Sequence, residues 1–212
     1  MKKWRLALGV ALGLGGCASP GIDTAYKGAD GGVLVASIGY IAPAAQFYYI
    51  YYRRTDGGPP LETSISIHTE TDISRTIDYR GHAEGSVVIQ HLQPGHYEIF
   101  STSAVETDYY SSSASYKPQR NFSLSFVIKP GETTYIGRYD GVMVKANKHG
   151  WLVGDYVGLG GVSFVVSDQH ERDIAVAKTR EPNLPPVTAA LPDPAKLPEP
   201  YFLEKEPGLT PL

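Results

Sequence analysis

Cysteine is almost missing from this chain: Cys17 stands alone among 212 residues. One cysteine cannot close a disulfide within the chain, so the fold has to stand on its core alone. Excess positive charge is missing as well. Lysine and arginine number 19 against 22 aspartate and glutamate, for a formal charge of −3. Such a balance lacks the basic stripe of a nucleic-acid-binding protein. No apolar run is long enough to cross a bilayer as a helix, which takes roughly 17–25 residues. Catalytic signatures are absent too. There is no G-x-x-x-x-G-K-[ST] phosphate loop and no G-x-S-x-G elbow. The nearest strings, "GGVSF" (160–164) and "GLGGVS" (158–163), read as strand preceded by a glycine turn or bulge. Glu98, Glu106 and Asp108 fall near one hairpin end, but nothing sets their separation.

The histidines make no compact ligand set. His91 and His96 flank the turn Leu92-Gln93-Pro94-Gly95, with His82 and Glu84 the nearest further donors, in a loop. A metal would need more ligands at compatible spacing. His68, His149 and His170 are scattered. These observations predict a protein that is not an enzyme, with no metal and no cofactor.

What is present begins with an address. Met1-Lys2-Lys3-Trp4-Arg5 is basic, and LALGVALGLGG (6–16) is uncharged and mostly apolar or glycine. A basic start, a short apolar stretch and small residues before a cut site make a secretory signal. Leu14-Gly15-Gly16-Cys17 resembles the bacterial lipobox. That resemblance implies that Cys17 becomes the mature N-terminus and carries a diacylglyceryl thioether. Two acyl chains anchor stably where one would not, at about 0.8 kcal/mol per buried CH₂. Ala18, not aspartate, follows the cysteine, which in such lipoproteins implies sorting to the outer membrane, with the domain facing the periplasm. Loss of Lys2, Lys3 and Arg5 shifts the formal charge from −3 to −6. The expected division is a signal peptide (1–16), a lipidated tether (17–31), a sandwich domain with a terminal helix (32–181) and a Pro-rich extended tail (182–212).

The body of the chain reads as β. Runs rich in Val, Ile, Thr, Tyr and Phe alternate with Gly, Pro, Asp and Ser clusters. Strands are expected at 33–41, 46–54, 62–70, 86–92, 96–105, 121–129, 133–139, 142–147 and 161–167. In "ETSISIHTE" (62–70), Ile65 and Ile67 face one way and Ser64, Ser66 and His68 the other. In "NFSLSFVIK" (121–129), Phe122, Leu124, Phe126 and Ile128 share a face. Pro94-Gly95 suits a type II turn. Successive strands with short connections predict an all-β fold, an antiparallel β-sandwich with one short C-terminal helix. That helix is expected within 167–181, capped by Ser167 or Asp168, with a thin stripe of Ile174, Ala175 and Ala177 laid on the sandwich edge. The last 31 residues hold 9 of the 16 prolines. They are expected to be extended and to build no ladder, since proline lacks the donor.

Fifteen tyrosines are the remaining anomaly, and they cluster. In "FYYIYY" (47–52), Phe47, Tyr49 and Tyr51 share one face and Tyr48, Ile50 and Tyr52 the other. One face can enter the core, while the other must be covered or exposed. "DYYSSSASYKPQR" (108–120) mixes Tyr with Ser as recognition loops do, which makes Tyr109, Tyr110 and Tyr116 candidate ligand-binding anchors. The alternative is that tyrosine is simply a good strand former whose hydroxyl reaches water.

The pair "HLQPGHYEI" (91–99) and "FVIKPGETTYIGRY" (126–139) resembles the hairpins of transthyretin-like (prealbumin-like) sandwich domains and of DUF2846-type bacterial lipoproteins. "VSDQHERDIAVAKTREPNL" (166–184) is similar to the closing helix of some of the latter. Thr134 stands where a second Tyr is frequent in that family. The resemblance implies a prealbumin-like sandwich and no catalytic residues. Together these features predict a lipid-anchored cell-envelope protein acting as a non-catalytic interaction or assembly module, held to the membrane by its N-terminal lipid and contacting an envelope protein. The alternative is an envelope carbohydrate-binding module, for peptidoglycan or polysaccharide, that uses the Tyr/Ser loop.

Overall fold

All nine residues of Gly32–Tyr40 are buried. Successive strand side chains point to opposite sides, so this strand must be covered on both faces. The computed structural model describes residues 22–42, 44–57, 61–69, 76–107, 113–150 and 154–205, and supplies that cover. Among them the elements are β1 (Gly32–Tyr40), β2 (Phe47–Arg54), β3 (Glu62–His68), β4 (Glu84–Leu92), β5 (Gly95–Thr107), β6 (Ser113–Tyr116), β7 (Leu124–Ile128), β8 (Thr133–Gly150), β9 (Gly154–Ser167), α1 (His170–Arg180), β10 (Val187–Ala189) and β11 (Phe202–Leu203). One sheet runs β11-β9-β8-β1-β4 with β10 beside β8, and the other runs β3-β2-β5-β6 with β7 beside β5. The protein is an all-β sandwich with a single short helix. Its first sheet is mixed, because β1 and β8 are parallel, as are β10 with β8 and β11 with β9.

Between the sheets lie Leu34, Ala36 and Ile38 of β1, Tyr48, Ile50 and Tyr52 of β2, Ile65 and Ile67 of β3, and Leu124, Phe126 and Ile128 of β7. The predicted alternation of β3 and β7 is therefore realised. On the far side of β1, Val33 and Val35 join Val87 and Tyr135 beneath Ile174 and Ala177 of α1. The helix thus covers the outer face of the sheet over β1 and β4 and does not merely line its edge. Ala175 stays exposed, and the stripe is completed by Asp173, which is fully buried. Asp173 accepts hydrogen bonds from Ser37 Oγ at 2.6 Å and Tyr135 Oη at 2.9 Å. The N-cap is Gln169, which makes no side-chain cap bond, and not Ser167 or Asp168; Asp168, one residue earlier, accepts the backbone N–H of His170 at 2.9 Å.

Three sequence expectations give way to tertiary contacts. The Asp140-Gly141 step reads as a break between two strands, yet β8 runs through it. A Cβ at Gly141 would sit 2.3 Å from Cδ1 of the buried Tyr48 ring, so glycine there makes room and does not turn. Pro94-Gly95 is not a type II turn, because Gly95 lacks the positive φ that Gly131 has at +64°. The atoms nearest a Cβ at Gly95 would be Asp56 Oδ1 at 2.8 Å and Arg54 Nε at 2.9 Å, both on partly exposed side chains. The Pro-rich segment does build ladders. Val187–Ala189 contains no proline and pairs with Thr133–Tyr135 of β8, continuing the edge that β9 leaves at Ser167. Phe202 and Leu203 then pair with Phe164 and Val165 of β9. Phe202 is fully buried, with ring centroids of Phe122, Tyr139 and Phe164 at 5.3, 6.0 and 6.1 Å.

The tether is docked along part of its length. Tyr26 N–H donates to His91 C=O and His91 N–H to Thr24 C=O, both at 3.0 Å. The glycine run before Val162 carries the expected bulge: Val144 pairs with Gly161 and Lys145 with Leu159, leaving Gly160 unpaired.

Candidate functional site

A strand of alternating aromatics pressed against a core must display its second row on the other side. Tyr48, Ile50 and Tyr52 fill the interior, where Tyr52 Oη donates to Gln90 Oε1 at 2.7 Å and Tyr48 Oη to Ala42 C=O at 3.2 Å. Burial pushes both of these phenols well above the usual tyrosine range. Phe47, Tyr49 and Tyr51 consequently line the outer face of the second sheet, partly exposed.

These outer rings form one stacked row. Tyr51 and Tyr49 lie with centroids 5.8 Å apart and planes within 17°, and Tyr49 and Phe47 at 5.9 Å and 20°. His68 of β3, directly opposite Phe47, stacks on it at 4.2 Å and 7°. Spacings and angles of this kind are those of offset-stacked rings, which bind each other beyond simple area burial. The rungs across the row are serines. Tyr49 lies opposite Ser66 on β3 and Ser103 on β5, and Tyr51 opposite Ser64 and Ser101. Ser103 is buried, with its Oγ 3.1 Å from the Tyr51 hydroxyl, so it fixes where that hydroxyl points. Partial desolvation raises the Tyr49 pKa, and the neighbouring Tyr51 adds to the shift. The Tyr49 phenol is therefore a neutral donor at ordinary pH.

Among the described residues, charge on this face appears at one end of the row. Arg53 Nε pairs with Glu98 Oε1 at 2.7 Å, and the guanidinium lies 4.6 Å from the Phe100 centroid. Partial burial resists ionisation of Glu98, but hydrogen bonds from Ser123 and Arg53 outweigh it and hold the carboxyl below its usual range. A neutral strip of rings and hydroxyls bounded by an ion pair can stack and hydrogen-bond. It offers no nucleophile with a base and no metal ligand set.

A second polar cluster lies on the opposite side of the molecule. Tyr79 sits between the guanidiniums of Arg138 and Arg172, 4.0 and 4.1 Å from its ring centroid. Asp140 lies 2.5 Å from Arg138 Nε and accepts from Tyr79 Oη at 3.2 Å. Burial raises the Asp140 pKa, with the Arg138 charge working against the shift. Each carboxylate here is partnered from within the chain, Asp173 by Arg172 as well, and the cluster straps α1 and the 76–80 segment to the sheet.

The residues predicted as ligand anchors part company. Tyr109 and Tyr110, like Cys17, lie outside the described residues. Tyr116 pairs with Ala104, whose side chain is in the core, so it lies on the inner side of β6 and packs against the core margin. Its hydroxyl donates to Glu106 Oε2 at 3.2 Å. Tyr116 is thus on the opposite face of the sheet from the stacked row. His91 pairs with Glu181, Nε2 to Oε1 at 3.0 Å, rather than with a second histidine. Among the described residues no group of three His, Cys, Asp or Glu could hold a metal. The row on β2 was visible in the alternation of "FYYIYY"; its serine rungs required the strand register.

No family model matches the chain, and neither a curated protein nor a solved structure matches it.

Proposed function

We propose that this is a lipid-anchored envelope protein, with a transthyretin-like sandwich, that acts by contact through the outer face of its second sheet. The observation that carries this reading is the stacked row His68-Phe47-Tyr49-Tyr51. The other sheet's outer face receives α1, whereas this one presents rings and hydroxyls. Aromatic area free of ionised groups is the composition of a binding surface's centre, and a charged pair at its margin is the composition of a rim. The anchor belongs to the same reading. Four residues separate Cys17 from Ile22, which packs against the core. The five residue steps from Cys17 to Ile22 reach at most about 18 Å, so the domain works beside the membrane, at the periplasmic side of the outer membrane.

Two measurements test the reading. Mass spectrometry of protein from the native host is expected to find a diacylglyceryl group on an N-terminal Cys17, and Cys17→Ser is expected to leave the membrane fraction. Photocrosslinkers placed at Tyr49 and at Ala175, an exposed position on α1 over the other sheet, are compared in intact cells. Specific adducts are expected from position 49 only. Equal, non-specific labelling from both positions would refute a contact role for this face.

A further inference from the structure

We infer that the partner of the β2 row is a neutral glycan chain, bound along the strand with its sugar rings against Phe47, Tyr49 and Tyr51 and its hydroxyls paired by flanking serines. This rests on the contact reading above and names the chemistry of what is contacted.

Charge is the first argument. Between His68 at one end and the Arg53–Glu98 pair at the other, the outward positions of β2, β3 and β5 carry no Asp, Glu, Lys or Arg. The rest of the chain is acidic, at −6 once the basic leader is removed. A phosphate- or sulfate-bearing polymer would find no cation on this strip, and a basic partner no anion. Complementarity therefore selects an uncharged ligand.

Composition separates the neutral candidates. Serine is depleted at protein–protein interfaces, where aromatics are joined by Met and Arg. Here each central tyrosine has a serine on both sides, Ser66 and Ser103 across from Tyr49, Ser64 and Ser101 across from Tyr51. Ser66 is exposed and Ser64 half-buried, so their hydroxyls remain available beside the rings, while Ser101 Oγ donates to Thr102 C=O at 3.5 Å and Ser103 holds the Tyr51 hydroxyl. A polyhydroxylated chain matches such a pattern: its C–H groups meet the exposed parts of the offset-stacked row, and its hydroxyls meet the Ser64, Ser66 and Tyr49 hydroxyls, which both donate and accept. An apolar peptide would leave those hydroxyls unpaired.

Geometry supplies the third argument. The row is linear, because it follows one strand, and its ring-to-ring steps of 5.8 and 5.9 Å are regular. A repeating polymer laid along the strand meets equivalent contacts at successive steps, and an isolated monosaccharide would use only one of them. Affinity is therefore expected to grow with chain length.

The test uses the mature lipidated protein in detergent micelles. The probes are β-1,4-linked N-acetylglucosamine oligomers of one to six units and purified peptidoglycan sacculi, with dextran sulfate as the charged control. Titration calorimetry is expected to show binding that tightens at least 10-fold from the dimer to the hexamer, retention on sacculi, and no competition by dextran sulfate. Tyr49→Ala and Tyr51→Ala should each weaken hexamer binding at least 10-fold. Tyr49→Phe, which keeps the ring, should stay within 3-fold and guards against a folding artefact, as does an unchanged melting temperature. Absence of binding to the oligomers and the sacculi, or binding that survives both alanine variants, overturns the glycan assignment. If in that case the position-49 crosslinker still yields one specific protein adduct, the contact reading stands and only the ligand class falls. If it yields none, both fall.

Discussion

Replacing Phe202 by alanine tests whether the Pro-rich C-terminal segment is part of the fold. The ring is fully buried and edge-on to Phe122 and Tyr139, with Phe164 tilted against it. A buried phenylalanine removes roughly 150–250 Å² from water, about 4–6 kcal/mol at 25 cal/mol per Å². Observed Phe→Ala losses in cores, with partial collapse of the cavity, are about 3–5 kcal/mol. For a domain of this size each kcal/mol moves the melting temperature by about 2–4 °C. Phe202→Ala should therefore lower it by roughly 6–20 °C in a far-UV circular dichroism melt. Leu203→Ala, at the adjacent half-buried position, is the control and should cost far less. A Phe202→Ala melt within 2 °C of the parent, on this ~2–4 °C scale per kcal/mol, would mean that residue 202 is not in the core. The pairing of β11 with β9 would then be wrong as well.

Three further outcomes follow from particular side chains. Glu98 has a folded-state carboxyl below its ordinary value of 4.5, so its ionised form contributes stability above that pH and loses it as pH falls through the folded value. Glu98→Gln should therefore lower the urea midpoint at pH 7, and the difference should shrink as pH falls below 4.5; a pH-independent difference would contradict the assignment. The Thr102 hydroxyl is fully buried without a hydrogen-bond partner among the described residues, so Thr102→Val should raise stability by about 1–2 kcal/mol in chemical denaturation, and a loss would show that the hydroxyl is satisfied. Gly141→Ala places a methyl 2.3 Å from the Tyr48 ring and should cost about 1–3 kcal/mol, measured the same way; a neutral result would mean that the ring is free to move.

Much of the second sheet was legible beforehand because each of its strands faces a core on one side and water on the other. "ETSISIHTE", "NFSLSFVIK" and "FYYIYY" write that asymmetry as strict alternation, and the structure places Ile65, Ile67, Phe126, Tyr48 and Tyr52 inside. The first sheet was harder to read. Its central strand β1 is covered on both faces, so its alternation is blurred, and the helix that covers it shows only Ile174 and Ala177 as apolar contacts. The rest of that helix interface is the buried Asp173 with Ser37 and Tyr135, which in sequence look like surface residues. The candidate site divides in the same way. Which residues of β2 share the outer face is a matter of period two, but the serines beside them come from β3 and β5.

Local chemistry therefore determined most of the strands, the helix and the outward aromatic row, since backbone period and residue size act over a few positions, but not β6, β10, β11 or the continuity of β8. The identity of each strand's neighbours was decided only by tertiary packing, because pairing joins residues far apart in the chain. That packing carries β8 through Asp140-Gly141 beneath Tyr48, draws Phe202 back into the core from a segment of prolines, and sets Ser64, Ser66, Ser101 and Ser103 around two tyrosines to make a surface.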